Sequence, residues 1–88
     1  MSEEEALEII KKEELDWYQS YSFTGDVIVE NQIGIKQTEG GWEVYSTSER
    51  GCIDMRREYK TKEEAIDHMI SGLRVEKRIA ERAGDTKG

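Results

Sequence analysis

The chain has 88 residues, a hydrophobic share of 35% against a charged share of 38%, and a formal net charge of −7. A chain of this length forms one domain with a thin core, because it buries only roughly 60–70% of its unfolded surface. One cysteine, Cys52, excludes an internal disulfide, and no apolar run approaches the ~20 residues that cross a bilayer.

The acidity is uneven. Residues 1–30 carry nine acids and two bases, whereas residues 31–60 carry five of each and residues 61–88 six of each. Such a surface argues against binding nucleic acid or an anionic membrane, which require basic patches. It either attracts a basic partner or simply maintains solubility. The start, Met1-Ser2-Glu3-Glu4-Glu5, has neither the basic nor the apolar segment of a signal peptide, and with one cysteine the expected compartment is the cytoplasm.

Taken in chain order, Ser2 and Glu5 form a capping-box pattern, and Glu3, Glu4 and Glu5 suit the positive end of a helix dipole. A helix is expected from about Glu3, ending between Glu13 and Gln19. Its apolar face is Ala6, Leu7, Ile10, Trp17 and Tyr18, with Ile9 and Leu15 falling off it. An aromatic cluster follows: Trp17, Tyr18, Tyr21 and Phe23. It either closes the edge of the core or forms an interface hot spot. Thr24-Gly25-Asp26 reads as a turn.

From Val27 the apolar period becomes two. Strands are expected at Val27 and Val29, at Ile33 and Ile35, at Trp42 and Val44, and from Cys52 to Tyr59. The connections are Asn31-Gln32, Glu39-Gly40-Gly41 and a polar loop, Ser46 to Gly51. Thr61 and Glu64 form a second capping box that opens a final helix. Its stripe is Ala65, Ile66, Met69, Ile70, Leu73 and Ala80, and Gly72 costs it up to ~1 kcal/mol of propensity.

The expected fold is α+β, ordered α-β-β-β-β-α: a four-stranded antiparallel meander with both helices on one face. The domain covers residues 1–82, and residues 83–88 form a fraying tail. Ile33, Ile35, Trp42, Val44, Ile53, Met55 and Tyr59 should face the final helix. Lys36, Glu43, Tyr45, Asp54, Arg56 and Glu58 should face outward.

No residue pattern points to catalysis. His68 and Cys52 are single and do not make a usual structural zinc site, no phosphate loop is present, and EF-hand spacing is missing. No catalytic residue, metal or cofactor is assigned, and the chain is expected not to be an enzyme.

The run Gly41-Trp42-Glu43-Val44-Tyr45, the turn Glu49-Arg50-Gly51, the strand ending at Tyr59 and the helix opened by Thr61, Glu63, Glu64 and Ala65 resemble a small bacterial immunity protein of polymorphic toxin systems, of the kind called immunity protein 59. The similarity covers about residues 27 to 75. It implies no active site. It implies a protein that binds a cognate toxin in the cytoplasm and occludes its active site or substrate groove; a basic nuclease would suit the charge. The expected state is a monomer or a weak homodimer, the latter through the exposed sheet face or a free sheet edge. The residues expected to meet the partner are Tyr45, Asp54, Arg56 and Glu58, with Glu43 and Lys36 at the rim. The alternative is a small acidic regulatory module, or a nucleic-acid mimic that inhibits another basic protein.

Overall fold

The computed structural model describes residues 1–16 and 19–82; Trp17, Tyr18 and the expected tail at 83–88 lie outside the described residues. The order is α1 (Glu3–Glu13), β1 (Ser20–Ser22), β2 (Gln32–Thr38), β3 (Gly41–Thr47), β4 (Ile53–Tyr59) and α2 (Lys62–Arg82). The class is α+β, with a sheet ordered β1-β2-β3-β4.

The first capping box forms in full, and the second in half, its Glu64 carboxylate accepting from the Thr61 hydroxyl rather than from the Thr61 amide. The Glu5 amide donates to Ser2 Oγ, and the Ser2 amide donates to the Glu5 carboxylate, both at 3.2 Å. The Glu64 amide donates to Thr61 Oγ1 at 3.2 Å. Helix α1 stops at Glu13 because Glu14 adopts a left-handed conformation (φ 53°), and the Leu15 amide reaches back to the Ile10 carbonyl at 3.0 Å. This Schellman-type ending swings Leu15 into the core beside Ile10. A continuous helix would have put Leu15 off the apolar face.

α2 lies across β2 and β3 and meets β4 less extensively, while α1 packs along α2. The core they enclose holds Ala6, Ile10, Leu15, Ile33, Ile35, Val44, Ala65, Ile66, Met69, Ile70 and Leu73. Trp42, Met55 and Tyr59 pack against it half-buried; Ile53 does not. Gly72 is explained by close approach: a Cβ there would collide with Ile33 Cδ1, so the glycine lets α2 settle onto β2. Ionic ties hold α1 to α2 at both ends. Lys62 Nζ lies 2.8 Å from Glu3, and Arg74 donates twice to Glu13, at 3.0 and 2.7 Å. The guanidinium holds the Glu13 carboxyl below its ordinary pKa. Lys77 also donates to the Glu13 carbonyl.

Two expectations about the sheet are corrected. Val27 and Val29 form no strand. The first strand is Ser20–Ser22, which runs parallel to β2, pairing Ser20 with Gln32 and Ser22 with Gly34. The sheet is therefore mixed. Parallel neighbours usually need a crossover of about a dozen residues or more. Here residues 23–31 suffice, because β1 is only three residues long and the return leg is short. β2, β3 and β4 form the expected antiparallel meander, with Ile35 opposite Val44 and Trp42 opposite Tyr59.

The second correction concerns the far side of the sheet, which is not bare. Residues 23–31 cross it, and Gly25 (φ 71°) sits so close that a Cβ would fall 2.8 Å from Lys36 Cβ. Tyr45, expected to face solvent, is 0% exposed. Its ring lies over Gly34, where a Cβ would stand 2.5 Å from the phenol oxygen.

Candidate functional site

The crossover segment is fixed by hydrogen bonds to the sheet. Thr47 Oγ1 donates to the Val29 carbonyl at 2.6 Å and accepts from the Gln32 amide at 2.8 Å. Gln32 Nε2 donates to the Val27 carbonyl at 3.3 Å, and Gln32 Oε1 accepts from the Tyr45 hydroxyl at 2.8 Å. Burial pushes the Tyr45 phenol above its ordinary pKa, so it remains a neutral donor. Asn31, in a left-handed conformation (φ 49°), joins three segments. Its amide donates to the Ser48 carbonyl, and its carbonyl accepts from the Ser20 amide, both at 3.0 Å.

With its backbone thus tied inward, the segment turns its side chains outward. Val27, Ile28 and Val29 are 69%, 40% and 41% exposed. Three consecutive β-branched apolar residues in water, on a segment anchored at both ends, form a preorganised apolar patch. Asp26 and Glu30 flank it in sequence.

The patch adjoins a concavity at the same end of the molecule. The polar loop after β3 turns at Ser48–Gly51, with the Gly51 amide donating to the Ser48 carbonyl at 3.0 Å. That loop, Asn31, Gln19, Ser46, Asp54 and Glu76 of α2 enclose a cavity of about 360 Å³. Asp54 is there because the register shifts at Ser46/Thr47: Thr47 pairs with Ile53, but Ser46 pairs with Met55. The extra residue, Asp54, turns to the helix side and accepts from Ser46 Oγ at 3.0 Å.

Of the six residues expected to form one face, five share it, in the cross-strand rows Lys36–Glu43–Glu58 and Tyr45–Arg56, and Asp54 leaves it. Tyr45 is sealed under the crossover, where no partner can touch it. Glu43 is 7% exposed and engaged with Lys36, its cross-strand neighbour, at 3.4 Å. Arg56 and Glu58 remain exposed on the edge strand β4. Asp54 lies on the opposite side of the sheet from them. Strict alternation missed the bulge, and it missed the segment at 27–29 by reading it as a strand. The available signal was Ile28: a strand with one wet face would place a polar residue between Val27 and Val29.

The second face of α2 holds a half-buried pair, Tyr59 Oη and His68 Nδ1, 2.9 Å apart. Burial, and then the Arg57 charge, keep the His68 pKa below 6.5. Among the described residues, no three His, Cys, Asp or Glu side chains converge as a metal site, and no helix is long and apolar enough to cross a membrane. Comparison of the chain with known protein families, with curated proteins and with solved structures returns no match.

Proposed function

We propose that this protein is an inhibitor that binds another protein, of the immunity type: it captures a basic toxin domain and covers the toxin's working surface. The observation that carries this reading is the anchored apolar run Val27-Ile28-Val29, flanked in sequence by Asp26 and Glu30, which form no ion pair among the described residues. Protein interfaces combine an apolar centre with a polar rim, and an acidic rim steers a basic partner into place. The net charge of −7 works in the same direction over longer range.

The docking surface proposed is thus the end of the molecule formed by residues 27–31 and 46–51, rather than the sheet face. Occlusion fits the chemistry of this end because its centre is an apolar run on a fixed scaffold, with polar and charged side chains around it. The resemblance of Trp42–Ala65 to immunity proteins agrees with this reading.

The test is to co-express the chain with the toxin-like domain encoded immediately upstream of it, and to titrate the purified pair calorimetrically. Growth rescue and a 1:1 complex are expected. The double variant Val27→Ser/Ile28→Ser should weaken binding at least tenfold while the thermal midpoint stays within about 2 °C of wild type. If the pair does not associate, or if a panel of unrelated basic proteins binds equally well, the dedicated-inhibitor reading is wrong. The second outcome would favour a general acidic regulator.

A further inference from the structure

The two edges of the sheet are unlike. β1 closes one edge and is only three residues long, a length that blunts an edge. β4 closes the other with seven residues. Arg56, Arg57 and Glu58 are consecutive and all exposed, so both sides of the strand reach solvent there. α2 meets β4 less than it meets β2 and β3, which leaves Met55 and Tyr59 half-buried. The bulge is confined to the start of β4, and pairing with β3 is regular from Met55 to Tyr59. Such an edge turns backbone N–H and C=O groups outward, where a further strand can pair with them.

The charges on the face away from α2 select the strand that fits. In the row Lys36–Glu43–Glu58, Glu43 holds Lys36, and Glu58 is left opposite a second carboxylate. Arg56 lies two residues earlier on the same face, opposite Tyr45. Neither Arg56 nor Glu58 forms an ion pair among the described residues. A second β4 laid antiparallel, with Arg57 on the two-fold axis, sets Arg56 opposite Glu58 of the second copy and Glu58 opposite its Arg56. Symmetry thus supplies each unmet charge with its opposite. Sliding the copy by two residues sets either Arg56 against Arg56 or Glu58 against Glu58, so charge fixes the register. On the helix side the same register puts Met55 opposite Tyr59 of the second copy, and Met55 already lies in an apolar groove with Ile33, Gly72 and Val75. Arg57 meets its own copy on the axis. Its guanidinium leans along its own strand to within 5.8 Å of the Tyr59 ring centre, so the axis sends the two cations in opposite directions.

We propose that β4 pairs with β4 of a second copy of this chain, joining two four-stranded sheets into one of eight strands. The interface is a single strand pair, smaller than a standard interface, so the dimer is weak and reversible. The charged row of β4 is then a self-complementary code that admits another copy in one register and repels it in the neighbouring ones. The inference does not rest on the inhibitor reading, because it uses the strand edge and not the run Val27-Ile28-Val29.

The experiment is sedimentation equilibrium of the full chain from about 10 µM to 1 mM, the span in which so small an interface acts. The average mass should climb from 10.2 kDa toward twice that value. Arg56→Glu and Glu58→Arg should each weaken association at least tenfold, because each sets like charges opposite one another. Arg56→Glu combined with Glu58→Arg rebuilds the opposite-charge pairs, and should recover association to within about threefold of wild type. Both positions are exposed, so the thermal midpoints of the variants should stay near that of wild type. Hydrogen exchange of the unaltered chain gives a reading that needs no variant: protection of β4 amides should rise with concentration, while that of residues 27–31 stays constant. A chain that remains monomeric across the range, association that ignores the single reversals, or a double exchange that fails to restore it would overturn the pairing. So would loss of association in Val27→Ser/Ile28→Ser, which would place the contact on the apolar run instead.

Discussion

The two faces of the one sheet are covered by different chemistry. On the helix side, Ile33, Ile35 and Val44 meet Ile66, Met69, Ile70 and Leu73 in dry apolar packing. On the other side, a single irregular segment is laid over Tyr45, Gln32 and Thr47 and held by directional hydrogen bonds. The first covering is non-directional and tolerates small shifts. The second depends on each donor finding its acceptor, because a buried polar group left unpaired is costly. A helix covers its face by volume, whereas the crossover covers its face by bonding, and this frees the crossover's apolar side chains to point away from the sheet.

The comparison can be broken most severely from the helix side. Leu73→Ala removes a side chain with 0% exposure from the centre of that packing, and should cost about 2–5 kcal/mol in chemical denaturation. A loss below 1 kcal/mol would mean that the helix face does not dominate stability. On the crossover side, Tyr45→Phe keeps the ring over Gly34 but deletes the donor to Gln32 Oε1. About 1–2 kcal/mol should be lost. Hydrogen exchange should rise at Gln32 and Asn31 while α2 stays protected. Uniform loss of protection would show that the crossover is not a separate layer.

The smallest effect belongs to the margin of the helix face, at His68. Its folded pKa lies below 6.5, so the folded chain binds fewer protons than the unfolded chain in the window beneath that value. The stability this neutral ring contributes is complete above pH 6.5 and is lost as the pH falls through the window. The urea midpoint of wild type should drop more between pH 7.5 and 5.5 than that of His68→Gln. Identical drops would assign the acid sensitivity to carboxylates alone.

Much of this fold was legible in the residues. The capping pairs at Ser2 and Thr61, the stripe from Ala65 to Leu73, and the alternation through Ile33, Ile35, Trp42 and Val44 are local signals, and each element formed where its signal lay. What escaped was non-local. Leu15 enters the core through a left-handed residue at Glu14, which no apolar period encodes. β1 is three residues of Ser-Tyr-Ser, carrying no strand signal of its own and paired because β2 offers a free edge. Among the expected contact residues, Arg56 and Glu58 are exposed as alternation required. Asp54 was displaced by a bulge, and Tyr45 was hidden by a segment whose path depends on that parallel pairing.

The parallel crossover also has a consequence for the order in which the chain assembles. The β2–β3–β4 meander and α2 are joined by short connections and close through neighbours along the chain, so they form the rapid part of folding. β1 and the segment after it can be laid down only once β2 and Tyr45 are in place to receive them. The stretch laid down in this way, residues 20–31, holds two acids and no base, whereas residues 31–88, which receive it, are neutral in sum.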